Sequence, residues 1–281
     1  IIAGSSRTGG GGKHMMELQR LSETRNGASN ARSGSGAAFR QTTQEQPLFR
    51  YVKRMGDLLG AAVGLAICLP LFLLIAMAIR LDSPGPALFR HRRMGHKGRP
   101  FQVLKFRTMV NEAERFGPEV TVATDGRITR VGAFLRRTKL DELPQLWNVL
   151  IGEMSLVGPR PQSFSFLTYY GDEDLDLILS VRPGITGPTQ LWLRNEEELL
   201  ARHDDPIRFY VETLLPQKIA SDRRYVQAWT LLGDLRILLQ TVCALLKIRP
   251  ATNAEPQQRA AVAGEVQATA PTRGRVYEKV I

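Results

Sequence analysis

Two carboxylates stand side by side at Asp141 and Glu142, within the run Arg136-Arg137-Thr138-Lys139-Leu140-Asp141-Glu142-Leu143-Pro144-Gln145-Leu146-Trp147-Asn148. Arg136, Arg137 and Lys139 lie just upstream. A carboxylate can attack phosphorus or hold a divalent cation, and a guanidinium fork matches phosphate oxygens. The combination suits phosphate chemistry. A plainer reading stands beside it. Thr138 and Asp141 fit a capping box, so the acids can serve a helix start while the cations form a solvated face.

Further cations sit on stiff segments. Lys105-Phe106-Arg107-Thr108-Met109 closes an extended stretch with Lys105 and Arg107. Arg160 is held between Pro159 and Pro161, and Arg182 opens the rigid loop Arg182-Pro183-Gly184. Residues 83–111 hold seven Lys or Arg and no acid. Cations fixed on stiff loops near a carboxylate pair are suited to phosphate recognition. Arg92, Arg93 and Lys97 read instead as surface charges.

The elements that must position these groups can be read in part. Residues 87–94 and 99–109 read as two strands joined by Gly95-His96-Lys97-Gly98, a turn-rich tetrapeptide. A helix is predicted after Thr138, with Leu143, Leu146, Trp147 and Leu150 at helical spacing and Gly152 as its stop. Residues 229–248 form an amphipathic segment with Leu232, Leu235, Leu239, Val242 and Leu246 on one side. Such a stripe packs into a core or lies on a membrane surface, and the core reading is favoured here.

Residues 58–79 are 22 consecutive residues without a charge, about the length that crosses a bilayer. The position and length of the run argue against a cleaved signal peptide. Pro70 lies in its middle and removes a backbone donor, so a kink or break is predicted there. Arg50, Lys53 and Arg54 precede the run; Arg80, Arg90, Arg92, Arg93, Lys97 and Arg99 follow it. Basic flanks on both sides favour both ends in the cytoplasm. A segment that enters the membrane, bends at Pro70 and returns satisfies both constraints.

The 281 residues carry 38 Lys plus Arg against 27 Asp plus Glu, a net charge of +11, which points to an anionic partner. The two cysteines exclude a disulfide scaffold, and 25 glycines without a triplet period exclude a collagenous chain. A basic peripheral membrane or nucleic-acid-binding protein without catalysis is the alternative. It leaves the carboxylate pair and the apolar run unexplained.

Taken together, Lys105 to Met109, Asp125-Gly126-Arg127-Ile128-Thr129, Leu140 to Asn148, Ser155-Leu156-Val157-Gly158-Pro159-Arg160-Pro161 and Arg182-Pro183-Gly184-Ile185-Thr186-Gly187 resemble the bacterial sugar transferases. The closer resemblance is to their small monotopic members, the polyprenyl-phosphate phosphoglycosyl transferases. It covers about residues 48–248, with five motifs in order. It implies transfer of a sugar 1-phosphate from a nucleoside diphosphate sugar to a polyprenyl phosphate. It further implies Asp141 as nucleophile, Glu142 as its assistant, Mg2+ held by both, and Lys105, Arg107, Arg136, Arg160 and Arg182 on phosphate oxygens. Two departures stand out: Pro188-Thr189-Gln190-Leu191-Trp192-Leu193-Arg194-Asn195 followed by Glu196, Glu197 and Glu198, and His91 where relatives often have Gln. The first is read as part of the sugar or nucleotide pocket, so its change leaves the sugar open.

The expected organisation follows. Residues 1–47 form a disordered Gly/Ser-rich arm whose first dozen residues read as an added leader. Residues 48–81 form a re-entrant membrane helix with its kink at Pro70. Residues 82–249 form a cytosolic catalytic domain, and residues 250–281 a disordered tail. The fold class is α+β, mostly helical, with a helix hairpin in the membrane and a small β-hairpin. No large amino-terminal helical domain is expected, as in the minimal form of the family. The expected partners are a nucleoside diphosphate sugar, polyprenyl phosphate, membrane lipid and further copies of the chain in a homo-oligomer, with no nucleic acid.

Overall fold

The computed structural model describes residues 47–246 apart from 114–116 and 118–119. The expected arm and tail lie outside the described residues, except Pro47, which opens the first helix.

Helix α1 spans Pro47–Asp82 with Pro70 inside it. The expected pair of half-helices is a single uninterrupted element. One stripe of α1 faces the rest of the molecule on both sides of Pro70. Ala61 packs with Phe101, Val103, Val149 and Met154, while Ile75 and Ile79 pack with Phe106 and Leu135. Polar anchors hold both ends. Arg54 donates to the carbonyls of Val149 and Leu150, and Asp57 accepts from Ser155 Oγ and the Leu156 amide. At the far end Asp82 accepts from the Val131 amide. The opposite stripe, including Leu59, Val63, Ile67, Leu73, Met77 and Leu81, is exposed. This is the one described helix long and apolar enough to cross a membrane.

The predicted hairpin is present. Strands β1 (Leu88–Met94) and β2 (Pro100–Phe106) pair antiparallel, from Leu88 opposite Phe106 to Met94 opposite Pro100. Lys97 and Gly98 take positive φ in the connection, and β2 ends at Phe106, before the predicted limit. Two short strands, β3 (Ser155–Val157) and β4 (Gly184–Thr186), pair in parallel. Gly158, just after β3, and Gly184, which opens β4, approach so closely that a Cβ on Gly184 would lie 2.1 Å from the Gly158 nitrogen.

Helix α2 is Arg130–Thr138, capped by Thr129, whose side chain accepts from the Gly132 amide. Here the predicted capping box is corrected. Thr138 ends α2 and its hydroxyl donates back to the Phe134 carbonyl at 2.8 Å. Lys139 turns the chain at φ 59°, and Asp141 and Glu142 lie in one 3-10 turn, Leu140–Glu142. Helix α3 begins only at Gln145 and runs to Ile151, stopping at Gly152 with φ 90°, as predicted.

Helices α4 (Asp172–Leu179), α5 (Pro188–Trp192), α6 (Glu196–Leu200), α7 (Pro206–Phe209) and α8 (Leu215–Gln227) follow. Tyr210–Leu214 is a π-turn between α7 and α8. Leu175, Ile178, Leu200, Leu214 and Leu215 form a core cluster among them. Helix α9 is Leu231–Leu245. Its apolar stripe is not core: Leu232, Leu235, Leu239, Val242 and Leu246 are all exposed. The reason lies on the inner face. Asp234 accepts from Lys53, Tyr225 and Trp229 Nε1, and Thr241 bonds Thr186. Turning the leucines inward would strip these polar groups of partners.

Candidate active site

A cavity of about 660 Å³ opens between the end of β2, the 3-10 turn, the Pro159-Arg160-Pro161 loop and α6. It collects Lys105, Arg107, Arg136, Asp141, Glu142 and Arg160 in its wall.

The two adjacent acids have different surroundings. Glu142 Oε1 accepts from Lys105 Nζ at 3.1 Å and from Arg160 NH2 at 3.2 Å. Burial alone would raise the Glu142 carboxyl. Lys105 and Arg160 outweigh it and hold the group well below the usual carboxylate range. Asp141 is buried, and its Oδ1 has no hydrogen-bond partner. Burial pushes the Asp141 carboxyl up, with Lys105 opposing and Glu142 adding to the rise.

Arg136 stands in the last turn of α2. Its NH1 donates to Thr108 Oγ1 at 3.2 Å, and its Nε and NH2 reach Glu197 of α6 at 3.2 and 2.6 Å. Gly132 makes this placement possible, since a Cβ there would lie 2.0 Å from the Thr108 carbonyl oxygen. Two other expected cations are used differently. Arg107 lines the cavity, but its guanidinium donates to the carbonyls of Ser83 and Pro84, tying down the exit of α1. Arg182 stands outside the cavity wall and donates from Nε to the Gly152 carbonyl at 2.8 Å. Pro70 is exposed on α1.

Four further residues complete the wall: Glu196 and Glu197, which sequence reasoning met only as a departure from the family pattern, and Tyr210 and Lys218, which it did not single out. The acidic run at Glu196 was the signal available; nothing local marks Lys218. Thr189 also lines the wall and donates to Asp222 Oδ1 at 2.6 Å. Burial raises the Asp222 carboxyl to about 7.

Asp141 Oδ1, buried and without a partner beside a second carboxylate, fits a divalent cation. Among the described residues no group of three or more His, Cys, Asp or Glu could hold a metal by itself. Mg2+ commonly takes one or two carboxylates and completes its shell with substrate phosphates and water.

A pair of carboxylates set among fixed cations suits phosphate chemistry. The family model described as bacterial sugar transferase matches residues 48–248. The chain is 46% identical over 199 residues to the UDP-glucose:undecaprenyl-phosphate glucose-1-phosphate transferase of Caulobacter vibrioides, covering 69% of each chain. It is 37% identical over 234 residues to the exopolysaccharide production protein ExoY of Rhizobium meliloti, covering 77% of this chain and 96% of that one. It is 36% identical over 203 residues to a UDP-N-acetylgalactosamine-undecaprenyl-phosphate N-acetylgalactosaminephosphotransferase of Aeromonas hydrophila, covering 71% of this chain and 45% of that one. The chain belongs to the bacterial sugar transferase family, and is a transferase by that membership.

Proposed function

We propose that this protein transfers a sugar 1-phosphate from a UDP-sugar to undecaprenyl phosphate, releasing UMP, at the cytoplasmic face of a bacterial membrane. The observation that carries the reading is the contrast within the carboxylate pair. Asp141 presents a buried oxygen without a partner, and Glu142 beside it is clamped by Lys105 and Arg160. The substrates are those named for the relatives.

In the first step an Asp141 oxygen attacks the phosphorus that carries the sugar. A phosphorus–oxygen bond forms, the bond to the bridging oxygen breaks, and UMP leaves with that oxygen. In the second step a phosphate oxygen of undecaprenyl phosphate attacks the same phosphorus. The aspartyl bond breaks, Asp141 is freed, and the product is a lipid diphosphate sugar. Arg160 and Lys105 offset the charge that builds on the phosphoryl oxygens. Arg136 binds the diphosphate once it is shared between Glu197 and substrate. Asp141 and Glu142 would hold Mg2+, which neutralises diphosphate charge when bound.

The membrane reading rests on two exposed apolar stripes, on α1 and α9. Both ends of α1 are bonded to the same folded unit, so a crossing that separates them is disfavoured. We read α1 as entering lipid without crossing, its basic flanks on one face. This keeps the cavity at the interface where a prenyl chain holds its phosphate. The product would begin assembly of an exopolysaccharide or related glycan.

The test uses detergent-purified protein, Mg2+, undecaprenyl phosphate and a panel of UDP-sugars. UMP release from at least one donor is expected. No release from any donor would sink the reading.

A further inference from the structure

Lys218 is a charged side chain only 4% exposed. Its ammonium donates to both Glu196 carboxylate oxygens, at 3.0 and 3.2 Å, and to the Tyr210 hydroxyl at 3.2 Å. The Tyr210 ring lies against Phe166, with centroids 4.8 Å apart. All four side chains line the cavity that holds Asp141 and Glu142. Arg160 links the two groups. It donates to Glu142, and both Glu142 and Glu196 act on its charge.

A buried ion pair is a poor device for stability alone, because desolvation offsets much of its attraction. Here the pair is not sealed off: the Glu196 side chain keeps 24% of its surface open. An accepting carboxylate, the Arg160 guanidinium and the half-buried Phe166 ring on one wall suit a polyhydroxylated ring, while the Lys218 ammonium lies over the buried Tyr210 ring. Phe166 covers its C–H surface, the Glu196 carboxylate accepts from hydroxyls, and Arg160 donates to them.

We propose that Glu196, Lys218, Tyr210 and Phe166 form the subsite that reads the hydroxyls of the transferred sugar, next to the Asp141–Glu142 pair. This rests on the donor assigned under the proposed function. Glu196 makes the discriminating contact, and Lys218 and Tyr210 fix its orientation. Glu197, its neighbour, is engaged by Arg136 instead. The acidic run that departs from the family pattern therefore supplies one residue to each side of the substrate.

The test compares wild type, Glu196→Gln and Tyr210→Phe with UDP-glucose and UDP-galactose, which differ at one hydroxyl, and with UMP as inhibitor. Glu196→Gln should lower kcat/KM for the preferred donor about tenfold or more and shift the ratio between the two donors by about tenfold. Inhibition by UMP, which carries no sugar, should move by less than about twofold. Tyr210→Phe keeps the ring and should shift the donor ratio in the same direction by a smaller factor. UMP inhibition that weakens in step with donor use would assign the wall to the nucleotide. An unchanged donor ratio in both variants, with wild-type turnover intact, would overturn the subsite alone. Absence of UMP release by the wild type would overturn the transferase reading, and this one with it.

Discussion

Asp141 and Glu142 are neighbours in the chain but opposites in partnering. Glu142 Oε1 carries both Lys105 and Arg160, whereas Asp141 Oδ1 is buried with no partner. The 3-10 turn Leu140–Glu142 produces the split, because successive side chains on it leave in different directions. One acid is neutralised in place. The other keeps a buried oxygen without a partner in the folded chain.

The first prediction concerns the nucleophile. Incubation with labelled UDP-sugar and no prenyl acceptor should leave label on the wild-type protein. Asp141→Asn should carry none and release no UMP. Glu142→Gln should be severely impaired yet form some adduct if its part lies in the second step or in metal placement. Label on Asp141→Asn at the wild-type level would move the attack to Glu142 or to direct transfer.

The same residue makes a stability prediction with a definite sign. Burial raises the Asp141 carboxyl in the folded state above its unfolded value of about 3.9. Its charged form is therefore less favourable in the folded state. The penalty is absent below the unfolded value, grows as pH rises through the window, and is complete above the folded value. Asp141→Asn should raise the melting temperature at pH 7, and the gain should shrink toward pH 4. A lower melting temperature at pH 7 would show that Asp141 is satisfied in the folded protein.

Arg160 sits between two prolines and donates from NH2 to Glu142. Arg160→Lys keeps the charge but loses the planar fork. Turnover should fall by about a hundredfold, the loss expected for one preorganised donor to a transition state. Near-normal kcat would make Arg160 peripheral. Arg92, whose guanidinium lies 5.4 Å from the Phe164 ring centroid, should tolerate alanine with little loss.

For topology, single cysteines placed near residue 45 and after residue 85 should both be shielded from a membrane-impermeant thiol reagent added outside intact cells. Cys68 and Cys243 would first be replaced by serine. Labelling near residue 45 from outside would refute the one-sided arrangement.

Much of the site could be read from local signals. The turn-rich Gly95-His96-Lys97-Gly98 marked the β1–β2 hairpin, Gly152 marked the end of α3, and the proline-flanked Arg160 and the Asp141-Glu142 pair stood out in the chain itself. These features depend on turn chemistry and residue type, which act over a few positions. Tertiary structure decided the rest. Arg136 meets Glu197, 61 residues away, and Lys218 meets Glu196, 22 residues away, because β2, α2, α6 and α8 converge on one cavity. Arg107 and Arg182 have the right residue type, yet backbone carbonyls claim them. Periodicity marked the α9 stripe but not its direction, since an apolar stripe serves lipid as well as core. Asp234 and Thr241 settled that direction by bonding inward, which only the assembled fold could arrange.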